Sequence, residues 1–381
     1  MVTLFDGNRI DMLISVLSVS MEYPMQSLKL LGPEQTYRNL VYDSISHGQA
    51  YCNAETGEVY EGKLFTVSGK VPNRTIRFYK KGLEVLKWND SFEAYLQTSS
   101  GHKISGNLSK VKRNHAVAEV LAVMARCAVE FRPQALPNLR MDEWGNRLPN
   151  KPLFYTSRQL KRFADNDGKE TIYTRLIGGL FIGSEYYSVY NARKEVLRWD
   201  NNSESKANVM LMKLAKMNTM ATEQRTAIVF GESMETMEKT LEEMSEEKRT
   251  KKQTAPVVEK SYRDLYYIPL TEKGIRMFRM FLVPDWREKI LSGLYKPSER
   301  SYNKGHFEYD ALVDGVYSFS FLDGNIARLI RFKKVTDRKT RQTEVLCFDF
   351  QEEFLRNFLD ERVMIYPVSM EDVEKTLKLK E

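Results

Sequence analysis

The chain has 381 residues, of which 42% are apolar and 11% aromatic, a composition typical of globular domains and not of disordered segments. No apolar run reaches the roughly 18–20 residues that a transmembrane helix needs, and the first residues lack the basic and apolar regions of a secretory signal. We therefore expect a soluble, cytoplasmic protein without membrane contacts. The net charge of +7 is by itself weak evidence for a polyanionic partner.

Residue types that carry metal or nucleotide chemistry are sparse. The three cysteines, Cys52, Cys127 and Cys347, lie far apart and form no CxxC pair, so the spacing of a structural zinc site is missing. The four histidines share no short motif, and the chain has neither a P-loop nor a dinucleotide fingerprint. The sequence therefore predicts no cofactor.

The chain opens with three helical segments separated by Gly and Pro. The first has an apolar stripe within 10–17, the second covers 24–32, and the third covers 33–48. Two strand patterns follow, at 57–68 and 73–82, around a Gly/Pro/Asn turn. Because this order is that of a winged helix-turn-helix domain, we assign such a domain to residues 1–100.

In a winged helix, the third helix reads base edges in the major groove and the wing lies near the phosphate backbone. The predicted groove-facing residues of the third helix are Tyr37, Arg38, Asn39 and Tyr42. The predicted wing contacts are Lys70, Asn73, Arg74 and Arg77. The alternative is an interaction module in which Tyr37 or Tyr42 belongs to the core.

Positive charge is concentrated after the third helix. The stretch from Lys63 to Arg113 contains eleven lysines and arginines against three acids, a net +8 that accounts for the charge of the whole chain. Lys110, Lys112 and Arg113 lie where the next helix begins, and a basic helix N-terminus is a favourable place for a phosphate. A solvated basic turn is the alternative.

Two short motifs in this region resemble the replication-relaxation family of plasmid and integrative-element proteins. After the wing the matching residues are Lys80, Lys81, Gly82 and Leu86, and in the following helix they are Arg113, Asn114, His115 and Glu119. The resemblance covers roughly residues 8–130. It implies a DNA-binding protein of plasmid or mobile-element origin, whose winged helix is followed by a domain resembling the restriction-endonuclease fold.

Residues 101–245 contain a strong helix and then alternating strand and helix patterns, an order that fits an α/β, nuclease-like domain. Nucleases of the PD-(D/E)xK type hold Mg²⁺ with an Asp and with an acid two residues before a Lys. The nearest candidates are Asp200, Glu204 and Lys206, although Glu204 and Lys206 lie in a polar segment that opens a helix and not on a strand. The nuclease-like fold without nuclease chemistry is therefore the preferred interpretation, and Mg²⁺ is implied only by the alternative.

The charge run at 246–260 lacks apolar periodicity and predicts a linker or mobile loop. Residues 261–381 predict an α+β region with β-hairpins, whose turn signals are Asp314-Gly315 and Asp323-Gly324. Within it, 325–350 reads as two strands joined by a basic turn. The whole chain is accordingly assigned to the α+β class.

The leading hypothesis is a double-stranded DNA-binding protein of a plasmid or conjugative element, acting in replication, transfer or its regulation. A homodimer and contacts with other replication or transfer proteins are compatible with it. The first alternative is a Mg²⁺-dependent nuclease or nickase. The second is a protein-interaction scaffold that uses the winged helix to bind a protein partner.

Overall fold

The computed structural model describes residues 1–104, 106–139, 151–163, 174–196, 201–218, 225–245, 262–301, 308–336 and 341–379. The chain divides into two compact units, Met1–Phe163 and Ala164–Glu381. Helices and several sheets occur in both units, which confirms the α+β class. The predicted domain of residues 1–100 lies inside the first unit, and the predicted linker at 246–260 lies outside the described residues.

The first unit alternates short strands with helices. Its described elements are β1 (Val2–Leu4), α1 (Arg9–Ser20), β2 (Tyr23–Pro24), a 3₁₀ helix (Met25–Leu30), α2 (Glu34–Ser44), β3 (Ala50–Asn53), β4 (Val59–Glu61), β5 (Phe65–Ser68), β6 (Thr75–Phe78), a 3₁₀ helix (Lys81–Asn89), α3 (Phe92–Thr98), α4 (Leu108–Arg126), a 3₁₀ helix (Pro133–Ala135), β7 (Leu153–Thr156) and α5 (Ser157–Phe163). The second predicted helix is thus a six-residue 3₁₀ helix.

Two small sheets organise this unit. One has the order β2-β6-β5, with both pairs antiparallel, so the strand that follows α1 pairs with the last strand of the hairpin. The other has the order β1-β3-β4, in which β3 and β4 form an extra hairpin between α2 and β5. The β5–β6 hairpin is therefore held at its β6 side by a strand from the start of the chain.

Local sequence signals explain where α1 begins and what it buries. The Asn8 side chain accepts a hydrogen bond from the Ile10 N–H, and Asp11 accepts one from the Asn8 N–H, a reciprocal cap at the helix start. Leu13 and Leu17, four residues apart, are fully buried. The apolar stripe of α1 consequently faces the core of the first unit.

Gly82 permits a close contact that a side chain would block. A Cβ on this residue would lie 2.5 Å from the carbonyl oxygen of Leu64. The 3₁₀ helix that begins at Lys81 can therefore cross directly over the chain that leads into β5. This packing gives a structural role to the glycine of the first family motif.

The second unit contains two sets of strands and helices. Its described elements are β8 (Gly178–Ile182), β9 (Glu185–Arg193), α6 (Asn201–Met217), β10 (Thr226–Gly231), α7 (Met234–Ser245), β11 (Asp264–Pro269), α8 (Glu272–Phe281), α9 (Trp286–Leu294), β12 (Ala311–Val313), β13 (Val316–Ser320), α10 (Ile326–Thr336), β14 (Thr343–Cys347), α11 (Asp349–Phe358), β15 (Met364–Pro367) and α12 (Met370–Leu377).

The described elements of these sets share one topology. Each set begins with an antiparallel hairpin, β8–β9 or β12–β13. Two further strands follow, β10 and β11 in the first set and β14 and β15 in the second, and both run parallel to the second strand of the hairpin. A helix precedes each of these further strands. Each last strand ends in Pro, at Pro269 and Pro367, and a helix capped by Thr271 or Ser369 follows. The N–H groups of Leu270 and Val368 both donate to the preceding strand at 2.7 Å. The second unit thus contains two sets of described elements with the same order and strand pairing.

One predicted hairpin of the C-terminal region is confirmed and another prediction is wrong. Asp314 and Gly315, both with positive φ, form the β12–β13 turn. After Gly324, however, Ile326–Thr336 forms a helix and not a strand. Asn325 accepts the Arg328 N–H, which starts this helix, and its apolar side chains then follow the helical period.

Candidate nucleic-acid interface

One face of α2 carries polar and aromatic side chains that reach solvent. Gln35, Asn39 and Tyr42 are exposed, and Arg38 keeps 36% of its side chain exposed while it pairs with Glu34 at 2.5 Å. These positions follow the three- and four-residue spacing of a helix face. The side of α2 that is predicted to read base edges therefore offers an amide, a guanidinium and a phenol together.

The prediction that Tyr37 faces outward is wrong. Its side chain is 1% exposed, and its hydroxyl donates to the Met12 sulfur at 3.6 Å. Together with fully buried Val41, four residues later, it forms the inward stripe of α2. Tyr37 belongs to the core, as the alternative interpretation held for it, whereas Tyr42 is 42% exposed.

Asn39 also borders a cavity. The Asn39 side-chain oxygen accepts a hydrogen bond from the Gln35 amide at 2.8 Å. Both residues line a cavity of about 600 Å³ beside the start of α1. The exposed amides of α2 are thus held in a defined position relative to each other.

The tip of the β5–β6 hairpin is a tight turn. The Asn73 N–H donates to the Lys70 carbonyl at 2.7 Å, and Val71 between them is 81% exposed. Lys70 is exposed and Arg74 half-buried, while the Arg74 carbonyl accepts the Met25 N–H at 2.9 Å. Two cations therefore flank a protruding turn whose base is tied to the start of a 3₁₀ helix.

Arg77 does not project from the hairpin as a free cation. Its Nε donates to Glu22 Oε1 at 2.9 Å, and a guanidinium nitrogen binds the same oxygen. Glu22 is fully buried and also accepts a hydrogen bond from the Asn114 amide. Arg77 was predicted as a wing contact, but its position is determined by this buried carboxylate, which joins β6 to α4.

Two further motif residues of α4 also make buried polar contacts. His115 Nε2 lies 2.9 Å from the Thr75 hydroxyl, and Glu119 accepts a hydrogen bond from Ser27 at 2.7 Å. All four of these residues are buried. Buried polar groups need partners, so this side of α4 connects the helix to β6 and the first 3₁₀ helix. No sequence pattern pointed to Glu22, Ser27 or Thr75, because their partners are distant in the chain.

The first turns of α4 carry the predicted phosphate contacts. Asn107 caps the helix by accepting the N–H groups of Ser109 and Lys110. Lys110 and Lys112 are exposed, whereas Arg113 is half-buried and donates to the Ser157 hydroxyl at 3.1 Å. The structure thus brings Arg113 next to α5, a contact that sequence spacing did not indicate.

The nuclease candidates do not form a site among the described residues. Glu204 is 1% exposed, accepts the Arg175 N–H at 2.5 Å and accepts the Tyr190 hydroxyl at 2.9 Å. Lys206 is exposed on α6, two residues away and hence on another side of the helix. Asp200 lies outside the described residues. Glu204 therefore has a structural role, in holding α6 against β9.

Comparison of the chain with protein families, with curated proteins and with solved structures found no match. No described helix is both long and apolar enough to cross a membrane. Within the described ranges, no three His, Cys, Asp or Glu side chains are grouped as a metal site. The interpretation of the first unit therefore depends on its own geometry and charge.

The imidazole of His102 responds to the basic surface around it. Its Nδ1 lies 2.6 Å from the Tyr95 hydroxyl, and burial together with the charges of Arg77 and Lys80 lowers its pKa below 6.5. His102 is therefore protonated at a higher pH in the unfolded chain than in the folded chain. The free energy of unfolding should fall as pH decreases through 6.5.

Denaturant titrations between about pH 8 and pH 5 should show a weaker fall of this free energy in the His102→Gln variant. An NMR titration in which His102 protonates at or above 6.5 would contradict this expectation.

Proposed function

We propose that the chain binds double-stranded DNA through a winged helix in its first unit, with α2 as the recognition helix and the β5–β6 hairpin as the wing. The observation that carries the proposal is the sheet order β2-β6-β5, in which two helical segments separate β2 from the hairpin. This order of helices and strands is the one expected of a winged helix. The β3–β4 hairpin is an insertion in that arrangement.

The exposed face of α2 supports this role. In the proposal, Arg38, Asn39 and Tyr42 meet base edges in the major groove, where guanidinium and amide groups distinguish base pairs. The net charge of α2 is negative, because its acids Glu34 and Asp43 outnumber its basic residue Arg38. Electrostatic attraction must therefore come from the wing and from α4, where Lys70, Arg74, Lys110, Lys112 and Arg113 contact phosphates.

The resemblance to the replication-relaxation family supports a role in plasmid or conjugative-element replication, transfer or its regulation. Its motif residues Asn114, His115 and Glu119 join α4 to the proposed winged helix. For residues 101–245, we propose a nuclease-like arrangement without nuclease chemistry. The antiparallel β8–β9 hairpin followed by α6 and the parallel strand β10 supports it.

Binding of the whole chain to a labelled duplex pool tests this function. We expect Arg38→Ala to weaken binding to the preferred sequences at least about tenfold, because a base-edge contact is lost. We expect Lys70→Ala/Arg74→Ala to weaken binding to all sequences and to reduce the log–log salt slope by about 2. Fluorescence anisotropy at several salt concentrations measures both effects.

Arg356→Ala is the matched control for Arg38→Ala. Arg356 is also an exposed helical arginine that pairs with a glutamate four residues earlier, at 2.6 Å from Glu352. The Arg356→Ala variant should bind DNA like the wild type. No binding of the wild type at low salt would contradict the proposed function and favour a protein-interaction scaffold. Strand breaks that require Mg²⁺ would instead favour the nuclease alternative.

A further inference from the structure

The cavity beside α2 is built from segments that are distant in the chain. Its walls come from β1, the start of α1, one side of α2 and β3. Its volume of about 600 Å³ is in the usual range of small-molecule sites. All of its lining residues belong to the first unit. The first unit therefore offers a concave surface large enough for a small organic ligand.

Apolar side chains form part of this cavity. Ile10 at the start of α1 is buried, while Val2 on β1 and Leu40 on α2 are half-buried. Such side chains pack against the face of a flat ring, and a few polar groups around them then fix its orientation. The cavity thus suits a planar ligand with polar edges.

Two amides of α2 supply such polar groups. Gln35 and Asn39 lie one helical turn apart, and the Gln35 Nε2 donates to the Asn39 Oδ1 at 2.8 Å. The pair keeps the Gln35 Oε1 as an acceptor and the Asn39 Nδ2 as a donor. If both amides are turned over, one acceptor and one donor still remain. Together, the two side chains present a matched acceptor and donor where they line the cavity.

The lining also contains charged groups and a buried hydroxyl. Its described residues include one cation, Arg9, and one anion, Asp43, so the lining favours a ligand without net charge. The Tyr51 hydroxyl is buried and has no hydrogen-bond partner in the part of the chain that the structure describes. Burial raises the pKa of Tyr51, against the effect of the nearby Ser44 hydroxyl. Buried hydroxyls normally have a partner, and a ligand atom can supply one here.

We propose that this cavity binds a free adenine nucleoside. Adenine carries its N6 amino group between two ring acceptors, N1 and N7, so either of these edges matches the amide pair. In the complex, the Gln35 Oε1 accepts the N6–H and the Asn39 Nδ2 donates to the ring nitrogen. Asp43 accepts the ribose 2′-hydroxyl, and the uncharged nucleoside agrees with the cancelling charges of the lining.

Binding of this nucleoside has a consequence for the DNA interface, and that consequence rests on the proposed function. Asn39 is one of the groups that meet base edges in the proposed complex with DNA. The nucleoside occupies the free amide group of the same side chain. Nucleoside and duplex therefore compete for Asn39, and the chain binds DNA less tightly where the nucleoside is abundant.

The base contact is tested by isothermal titration calorimetry of the whole chain with adenosine and with purine riboside, which lacks the 6-amino group. The wild type should bind purine riboside about fivefold more weakly, because the Gln35 Oε1 loses its hydrogen bond. Gln35→Ala should bind both probes equally. The control is Gln97→Ala, which should keep the fivefold difference. Gln97 is also an exposed helical glutamine with a side-chain hydrogen bond, but it does not line the cavity.

The ribose contact is tested with 2′-deoxyadenosine. The wild type should bind it about tenfold more weakly than adenosine, because a hydrogen bond to a carboxylate is lost. Asp43→Asn should reduce this ratio to less than about threefold. The control Asp314→Asn, at an exposed aspartate of the β12–β13 turn, should keep the tenfold ratio. Gln35 and Asp43 are exposed, so their variants should keep the thermal midpoint of the wild type, which separates loss of binding from loss of folding.

Competition separates the nucleoside site from the DNA function. Adenosine at about ten times its dissociation constant should weaken duplex binding by the wild type about tenfold. If adenosine binds with both expected ratios and no duplex binds, then the nucleoside site stands and the DNA function falls. If duplex binding is normal and saturating adenosine does not weaken it, then the competition for Asn39 is overturned. Failure of the wild type to bind adenosine, or equal binding of adenosine and purine riboside, would overturn the site itself.

Discussion

Replacement of Glu22 by glutamine should lower the free energy of unfolding of the first unit by about 3 kcal/mol. Glu22 is fully buried and holds Arg77 on β6 and Asn114 on α4. The neutral amide leaves Arg77 without its carboxylate, although the arginine side chain is 24% exposed and recovers part of its hydration. The measurement is denaturant unfolding, with hydrogen exchange to assign the loss to β6 and α4.

The control for this prediction is Glu34→Gln, which removes an exposed carboxylate that also pairs with an arginine. This substitution should change the free energy of unfolding by less than about 0.5 kcal/mol, since exposed ion pairs contribute little to stability. A double variant, Glu22→Leu/Arg77→Met, should recover much of the loss, because no buried charge is then left unpaired. Equal effects of Glu22→Gln and Glu34→Gln would show that the buried network does not hold the hairpin.

Replacement of Arg328 by methionine should destabilise the second unit by at least about 3 kcal/mol. The Arg328 side chain is 4% exposed and binds Asp310 at 2.7 Å and Glu308 at 2.9 Å. Asp323 lies 4.0 Å away and is also buried. Without the guanidinium, Asp310 and Asp323 remain in the interior, and the described cation nearest to Asp310 is then Arg287, at 3.6 Å. Glu308 keeps its contact with Arg331 at 3.1 Å.

The pH dependence of the Arg328→Met variant gives a second measurement. Burial already raises the pKa of Asp323 above 3.8 in the wild type, against the effect of Arg287 and Arg328. Removing Arg328 should raise the pKa values of the buried acids further. The folded variant then binds protons at higher pH than the unfolded chain, so its stability relative to the wild type should increase as pH falls.

Arg356→Met is the control for Arg328→Met, since Arg356 is 58% exposed in its pair with Glu352. It should change the free energy of unfolding by less than about 0.5 kcal/mol. Denaturant titrations at several pH values compare the two variants. An Arg328→Met protein as stable as the control at neutral pH would show that the carboxylates find other partners.

The replacement of a predicted strand by α10 shows why local patterns mislead in this chain. Residues 326–336 contain β-branched and apolar side chains, and the signal Asp323-Gly324 before them is typical of a hairpin turn. The Gly324 carbonyl instead accepts the Tyr267 N–H, and the Asn325 side chain binds Asp264. Contacts with a strand about sixty residues earlier thus decide the conformation of this segment.

The sequence by itself determined the properties that depend on neighbouring residues. Periodicity specified α1 and α2, Gly and Pro marked the turns, and the count of charges located the basic region between Lys63 and Arg113. Hairpins with short turns, such as β12–β13, were predictable because their register is local. These features follow from backbone and helix geometry within a few residues.

Only the tertiary structure decided which of the basic and polar residues meet. Tyr37 turned inward because the stripe of α2 that packs against the core includes it. Arg77, Asn114 and Arg158 are separated by up to 81 positions, yet Glu22 and the asparagine join them in one network. A buried carboxylate needs hydrogen-bond donors close to it in the fold. These donors are distant in the sequence, so no short sequence pattern shows which residues they are.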